Sequence, residues 1–171
     1  DLNFKKIYVA DQDGKIAYEV ADLPLADNIN TAFNSVRTGK RTVDWRSDKD
    51  ATLWWVEAMD DGDARKDVKK RDALFILPAP FTIKPIKVMT TELRFYNVMW
   101  GTDTMAIVQS YWYDSRTLRE WKINPKKFYE KPQLLIERDY QDAYADPGSI
   151  LTKRDPRGEY RIQYTSDGQY M

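Results

Sequence analysis

The sequence contains neither cysteine nor histidine. Without cysteine there can be no disulfide, iron–sulfur cluster, thiolate zinc site or cysteine nucleophile. Without histidine, the usual general base of hydrolases and the commonest metal ligand are missing. A Ser-His-Asp triad cannot be assembled within these 171 residues. We therefore predict no catalytic residue, no metal and no cofactor in this chain.

The sequence also lacks an excess of either charge and any long apolar run. Lysine and arginine number 27, and so do aspartate and glutamate, whereas nucleic-acid-binding proteins usually carry a basic excess or stripe. The nearly uncharged run at 102–113 is too short to cross a bilayer. We predict neither nucleic acid binding nor a membrane span. The first residues include no start methionine and no signal-peptide core, so we expect any targeting signal to lie outside this sequence.

Glycine is scarce, and its seven residues are scattered among turn-like segments. No glycine-rich phosphate loop and no G-x-S-x-G segment is present. An enzyme using carboxylate chemistry would need two facing acids in a cleft, and no spacing in the sequence requires such a pair. We predict that this chain alone is not an enzyme.

A strand-like pattern repeats at an interval of about 50 residues. It begins at Trp45 and again at Trp100, and each copy leads through a turn into an apolar segment, 52–59 or 105–113. A weaker third copy begins near Ile150. The segment 52–59 is apolar on both alternating faces, which predicts a strand covered by layers above and below. Strand-built repeats of this length are typical of β-propeller blades.

Turn signals divide the chain into twelve predicted strands, at 5–10, 15–20, 42–46, 52–59, 72–78, 85–90, 95–100, 105–113, 119–123, 133–138, 150–152 and 159–165. The predicted fold class is all-β, a partial β-propeller that forms a single domain fragment, 1–171. Two complete four-stranded antiparallel blades, at about 42–90 and 95–138, are flanked by half-blades at 4–22 and 149–165. Because half-blades leave sheet edges open, we expect homo-oligomers through these edges, which light scattering would detect.

Two acidic clusters, at 11–14 and 60–63, have the close carboxylate spacing of calcium loops. Neither continues into the twelve-residue EF-hand pattern, and turn chemistry explains both. The charged segment 60–71 has no periodicity and is predicted to be a solvent-exposed loop. Glu57 interrupts an apolar strand, and we favour a structural role, paired with an arginine or capping backbone donors, over a functional carboxylate with a shifted pKa.

Arginines alternate with aromatic residues at 111–121. Guanidinium groups there have two roles open to them: binding a carboxylate ligand through paired hydrogen bonds, or stacking on aromatic faces at a sheet edge. We favour the stacking role for the segment as a whole. The 6 Trp, 11 Tyr and 6 Phe are more simply explained by packing in strands than by a sugar-binding groove.

Several segments resemble one family of enzymes: 55–65 with Arg71 and Asp72, 92–95, 100–103, Trp112 and Tyr113 with Arg116, and 138–149, which is the most specific. They are similar to the prolyl oligopeptidase clan of serine peptidases, in its glutamyl-endopeptidase-like branch. The resemblance extends over most of the chain from about Lys5 onward. It implies an N-terminal β-propeller that restricts which peptides reach an α/β-hydrolase domain carrying the serine, aspartate and histidine.

On this resemblance we predict a non-catalytic propeller segment of an exported serine peptidase, periplasmic or secreted. Its partners would be peptide substrates and the hydrolase domain of the same parent chain. Arg116 and Arg119, with Trp112, are the candidate substrate-binding residues, because two cations would complement an acidic substrate side chain. The alternative is a carbohydrate- or protein-binding β-domain that uses surface aromatic residues.

Overall fold

A computed structural model describes residues 5–23 and 32–167. Within these ranges the chain forms strands and one short 3-10 helix, Pro125–Lys127. The strands are β1 (Lys5–Ala10), β2 (Ile16–Leu23), β3 (Arg41–Trp45), β4 (Thr52–Ala58), β5 (Asp72–Pro78), β6 (Ile86–Thr91), β7 (Arg94–Thr102), β8 (Met105–Trp112), β9 (Thr117–Ile123), β10 (Gln133–Asp139), β11 (Thr152–Arg154) and β12 (Tyr160–Ile162).

The strands form four antiparallel sheets in chain order. Layer 1 is β1–β2, layer 2 is β3–β4–β5–β6, layer 3 is β7–β8–β9–β10 and layer 4 is β11–β12. Every strand pairs with its sequence neighbour, so each four-stranded sheet is a simple meander. The prediction of an all-β fold with antiparallel sheets of two, four, four and two strands is confirmed. Each of the twelve predicted strands overlaps an observed one.

The layers stack face to face, because alternating side chains of the central strands are apolar on both sides. In β4, Trp54 and Val56 belong to the core shared with layer 3. Leu53 and Trp55 belong to the core shared with layer 1. Successive side chains of a strand point to opposite faces, so a strand with two apolar faces needs a layer on each. The predicted covering from both sides is confirmed for 52–56, whereas Met59 is 46% exposed.

The terminal hairpins close on aspartate-containing turns. Asp11 accepts hydrogen bonds from the backbone N–H groups of Asp13 and Lys15, at 3.0 and 2.9 Å, and Gly14 supplies the positive φ of the turn. In the second hairpin Asp155 makes the corresponding contacts. The strands of layer 4 are shorter than predicted and lie next to the turn. Their pairing is confined to three residues on each strand. Position 4, where the first half-blade was predicted to begin, lies outside the described residues.

The prediction that 60–71 is solvent-exposed is wrong at its beginning. Asp60 is buried, and its carboxylate accepts a hydrogen bond from the Gly62 backbone N–H at 3.0 Å. Gly62 is buried as well, and the rest of the segment is partly or fully exposed. Asp60 is buried because two arginines from separate segments neutralise it, as described below. In the described part of the chain, no helix has the length and apolar character needed to cross a membrane.

Candidate functional site

A hollow of about 300 Å³ lies at one end of layer 3. We call it the aromatic basin, and it is lined by Phe33, Tyr96, Tyr111, Tyr113, Leu118 and Tyr140. These residues come from four separate parts of the chain, and none of the described residues that line the hollow is charged. The basin is therefore a largely apolar surface assembled by the fold.

The basin forms where layer 4 leaves layer 3 uncovered. Along β8, Met105 and Ile107 pack against Ile162 of layer 4. Tyr111 continues the same alternating series toward the other end of the strand. It pairs across the sheet with Leu118 of β9, so both side chains lie on that face. The short strands of layer 4 cover only the Met105 end, and the Tyr111 end becomes the floor of the basin.

The rings of the basin contact one another and remain accessible. The ring centroids of Phe33 and Tyr113 are 4.0 Å apart. Tyr111 makes edge-on contacts with Tyr96 and Tyr140, at 5.7 and 6.2 Å. Phe33, Tyr96 and Tyr113 are nevertheless 66%, 64% and 51% exposed. A contiguous group of exposed aromatic rings is typical of a binding surface rather than of a core.

A bulge in β7 orients the Tyr96 wall. The pairing of β7 with β8 shifts register between Phe95 and Asn97. Phe95 is buried against layer 2 and its backbone N–H donates to Asp72 at 2.6 Å. The irregularity lets the next side chain, Tyr96, turn toward Tyr111. Such bulges commonly redirect a side chain at a site.

Behind the basin lies a buried ion-pair network centred on Arg94. Its Nη2 donates to Asp60 Oδ2 at 2.6 Å, and its Nη1 donates to Asp72 Oδ1 at 3.0 Å. The side chains of all three residues are almost completely buried. Arg71 adds a second cation to Asp60 at 3.1 Å, and Arg41 pairs with Asp72. Buried charges are tolerated when they are paired in this way.

The network holds two walls of the basin. Arg94 Nε donates to the carbonyl oxygen of Asn34 at 3.1 Å, which fixes the segment that carries Phe33. The guanidinium of Arg71 stacks on the ring of Trp112, 3.7 Å from its centroid. Trp112 lies between Tyr111 and Tyr113 in sequence. The network therefore positions the basin from behind without lining it.

The same network determines the ionisation of its members. Burial raises the pKa of Asp60, but the hydrogen bonds and charge of Arg94, with the hydrogen bond from Arg71, outweigh burial and leave that pKa below its usual value. Burial lowers the pKa of Arg94, and its two aspartate partners outweigh burial and raise that pKa above its usual value. Asp60 and Arg94 are therefore both charged at neutral pH.

Stability is expected to fall in acid partly through Asp60. The folded pKa of Asp60 is below its unfolded value of about 3.9. The contribution of Asp60 to the free energy of unfolding is therefore complete above about pH 4, and it is lost as the pH falls through the folded pKa. We expect the free energy of unfolding to fall less steeply below about pH 4 in Asp60→Asn than in the unmodified chain. Urea unfolding at a series of pH values measures both slopes, and equal slopes would contradict this assignment.

The structure separates the three predicted site residues. Arg116 lies in the exposed turn between β8 and β9, beside the basin. Arg119 lies on β9 and already pairs with Glu92 at 2.6 Å and with Glu137 at 2.5 Å. Trp112 is partly buried beneath Arg71. Arginine stacking in this region does occur, but the guanidinium on Trp112 comes from another layer. The substrate-binding role of Arg116, Arg119 and Trp112 remains a prediction.

The other carboxylates singled out in the sequence have structural partners. Glu57 accepts a hydrogen bond from the indole N–H of Trp55 at 2.7 Å, rather than from an arginine or the backbone. The carboxylates of 11–14 and 60–63 make turn and ion-pair contacts. Within the described ranges, no group of three or more acidic side chains is arranged to hold a metal ion.

Several residues of the site carried no signal in the sequence. Phe33, Tyr96 and Tyr140 were not assigned to a site, although Tyr96 follows Phe95 and Tyr140 lies in the resembling segment 138–149. Their convergence depends on the meander of layer 3 and on the connection from Asn34 to Arg94. Arg94 stood inside a resembling segment, but nothing in its neighbours predicted burial. Only the arginine–aromatic alternation near Tyr111 pointed toward this region.

Two plant proteins are similar to this chain: "Probable glutamyl endopeptidase, chloroplastic" of Arabidopsis thaliana and the protein of the same name of Oryza sativa subsp. japonica. Each is 39% identical over 160 residues, which is 92% of this chain and 17% of the relative's length. The chain thus spans about a sixth of these curated relatives. No family model matches the chain, and no solved structure matches it.

This similarity supports a relationship to part of a peptidase of that kind. The names of both relatives state a chloroplast location, so they do not support the periplasmic or secreted location predicted above. The compartment of this chain remains a prediction.

Proposed function

We propose that this chain is a non-catalytic propeller segment of a larger serine-type peptidase, in which it shapes peptide access to a hydrolase domain outside this sequence. The similarity just described carries this proposal, because nearly the whole chain matches a small part of proteins named as endopeptidases. The absence of histidine supports it, since a Ser-His-Asp triad would have to be supplied by another part of the protein.

The stacking of the layers also supports the proposal. Two successive four-stranded meanders pack face to face, and a two-stranded hairpin covers each outer face. Propeller blades are four-stranded antiparallel sheets, arranged around a central channel. In this interpretation layers 2 and 3 are complete blades, at about 42–90 and 95–138, and layers 1 and 4 are half-blades. The hydrolase domain of the same parent chain and peptide substrates are the proposed partners.

The first experiment compares the 171-residue chain with the full-length protein. We expect fluorogenic peptides containing glutamate to be cleaved by the full-length protein and not by this chain. A serine-reactive fluorophosphonate should label the full-length protein alone. Turnover by the isolated chain, or a full-length protein that neither cleaves peptides nor takes the label, would overturn the proposal.

Arg116 is the proposed contact for an acidic substrate side chain, because Arg119 is already paired with two glutamates. In the full-length protein we expect Arg116→Ala to lower kcat/KM for glutamate-containing peptides by about tenfold, the effect of losing one hydrogen bond to a charged group. Arg65→Ala removes an exposed loop arginine and serves as the matched control. Unchanged kcat/KM in Arg116→Ala would eliminate this role.

A second function, binding of glycans or a partner protein, is favoured by one observation. The aromatic basin exposes Phe33, Tyr96 and Tyr113. The tryptophans Trp54, Trp55 and Trp100 are buried and are unavailable for such binding. Calorimetry of the isolated chain with neutral oligosaccharides distinguishes the two functions, because only the second predicts saturable heat.

A further inference from the structure

We propose that the aromatic basin is a subsite for one large apolar side chain of a peptide that also presents a carboxylate to Arg116. This inference rests on the proposed function, because it assumes that peptides are the ligands. It adds a second recognition element, in which the basin selects an apolar residue near the charged one.

The size and lining of the basin fit one apolar side chain. Its volume of about 300 Å³ lies at the lower end of the range for small-ligand sites. The lining rings are tyrosines and a phenylalanine, whose faces favour contact with another ring or an aliphatic group. Seating such a side chain would remove the exposed faces of Phe33, Tyr96 and Tyr113 from water.

The walls of the basin are fixed before a ligand arrives. Phe33 directly precedes Asn34, whose carbonyl oxygen accepts from Arg94, and Val36 donates its backbone N–H to the carbonyl oxygen of Gly62 at 2.9 Å. Gly62 cannot be replaced by a larger residue without a steric clash, since an added Cβ would lie 2.0 Å from the Val36 carbonyl oxygen. A site whose walls are already ordered loses little conformational entropy on binding.

Arg116 is attached directly to two walls of the basin. Its backbone N–H donates to the carbonyl oxygen of Tyr113 at 3.2 Å, and its own carbonyl oxygen accepts from the backbone N–H of Tyr140 at 2.9 Å. Its φ of 53° is unusual for a residue other than glycine. Such a conformation, held by hydrogen bonds on both sides, is frequently found at binding sites.

The charge of Arg116 identifies the kind of ligand. Its side chain is exposed, and within the described ranges no carboxylate lies at ion-pair distance from its guanidinium. A peptide bearing an acidic side chain or a free C-terminus supplies the missing anion, whereas a neutral glycan would offer only stacking. Asp114 lies in the same turn and opposes such an anion. An exposed arginine whose backbone borders the apolar hollow therefore favours a peptide.

The test uses the 171-residue chain and the blocked peptide acetyl-Ala-Phe-Ala-Glu-Ala-amide, followed by NMR titration. We expect saturable binding with shift changes concentrated at the basin. Replacing the peptide phenylalanine by alanine should weaken binding by about ten- to a hundredfold, the effect of losing one buried aromatic side chain. Tyr113→Ala should weaken it in the same direction, while Tyr160→Ala, a 58% exposed tyrosine on β12, should not.

Charge variants test the other half of the proposal. Arg116→Ala should weaken binding, and Asp114→Asn should leave it unchanged or strengthen it. An amidated peptide with glutamine in place of glutamate should bind more weakly. If a free C-terminal carboxylate on that peptide reaches Arg116, it should restore the affinity. The two peptides therefore distinguish the two sources of the anion.

Three results would overturn the subsite. If the alanine peptide binds as tightly as the phenylalanine peptide, the basin does not take an apolar side chain. This comparison needs no protein variant. Tighter binding of cellopentaose than of the peptide would assign the basin to glycans. Binding to the isolated chain but not to the full-length protein would show that another part of the protein covers the basin. These readouts do not depend on turnover, so they are separate from the peptidase test.

Discussion

Replacing Arg94 by methionine is expected to destabilise the chain by about 3–5 kcal/mol, because it leaves buried carboxylates without their shared partner. Asp60 and Asp72 are both almost completely buried, and Arg94 hydrogen-bonds to each. Methionine retains much of the length of arginine but supplies no donor. Urea unfolding followed by tryptophan fluorescence measures the change in the free energy of unfolding.

The matched control is Arg119→Met, which also removes an arginine that bridges two carboxylates. Glu92 and Glu137 are about half exposed, so water can solvate them after the substitution. We expect a loss of about 1 kcal/mol or less for this exposed arrangement. Equal losses in the two variants would show that burial of the Arg94 network does not determine its contribution.

The strands could be predicted from the sequence because their signals are local. Turn residues and alternating apolar residues lie next to one another, as at Asp11 and Gly14 or along 52–59. The burial of Asp60 could not be predicted in the same way. Its partner Arg94 lies on another strand, and only packing of layer 2 on layer 3 brings the two together. An isolated acidic cluster in a charged loop gives no indication of such a partner.

The candidate site shows the same division between local and long-range information. Arg116 and Trp112 lie in a segment whose composition was unusual, and that segment does border the aromatic basin. Phe33 and Tyr140 could not be assigned, because each reaches the basin through the fold. Glu57 was predicted to pair with an arginine or backbone donors, but its observed partner is the indole of Trp55, two positions away on the same strand.

Trp100→Ala and Trp45→Ala are expected to differ greatly in effect, although both tryptophans occupy the same position in the sequence repeat. Trp100 is 3% exposed and Trp45 is 44% exposed. Trp100 packs against Trp54 and beneath the guanidinium of Arg46. Its loss should cost about 3–5 kcal/mol, as for large aromatic residues removed from a core. The loss of Trp45 should cost about 1 kcal/mol or less, close to that of surface substitutions.

The difference between the two tryptophans comes from the layer that covers each. Trp45 pairs with Leu53, whose side chain faces layer 1, and Trp100 pairs with Ala106, whose side chain faces layer 2. Cross-strand partners share a face, so both tryptophans point toward the preceding layer. The layer before Trp100 has four strands, whereas the described layer before Trp45 has two. The repeat therefore predicts orientation, and the covering layer determines burial.

The Trp45 variant is therefore informative about the larger protein that we propose. If layer 1 is half of a blade, additional strands in the full-length protein would cover Trp45. The destabilisation caused by Trp45→Ala should then rise toward that of Trp100→Ala, a change of about 2 kcal/mol or more. Urea unfolding of the variant in both the isolated chain and the full-length protein measures this difference. The same small loss in both would mean that Trp45 stays exposed and that layer 1 is not extended over it.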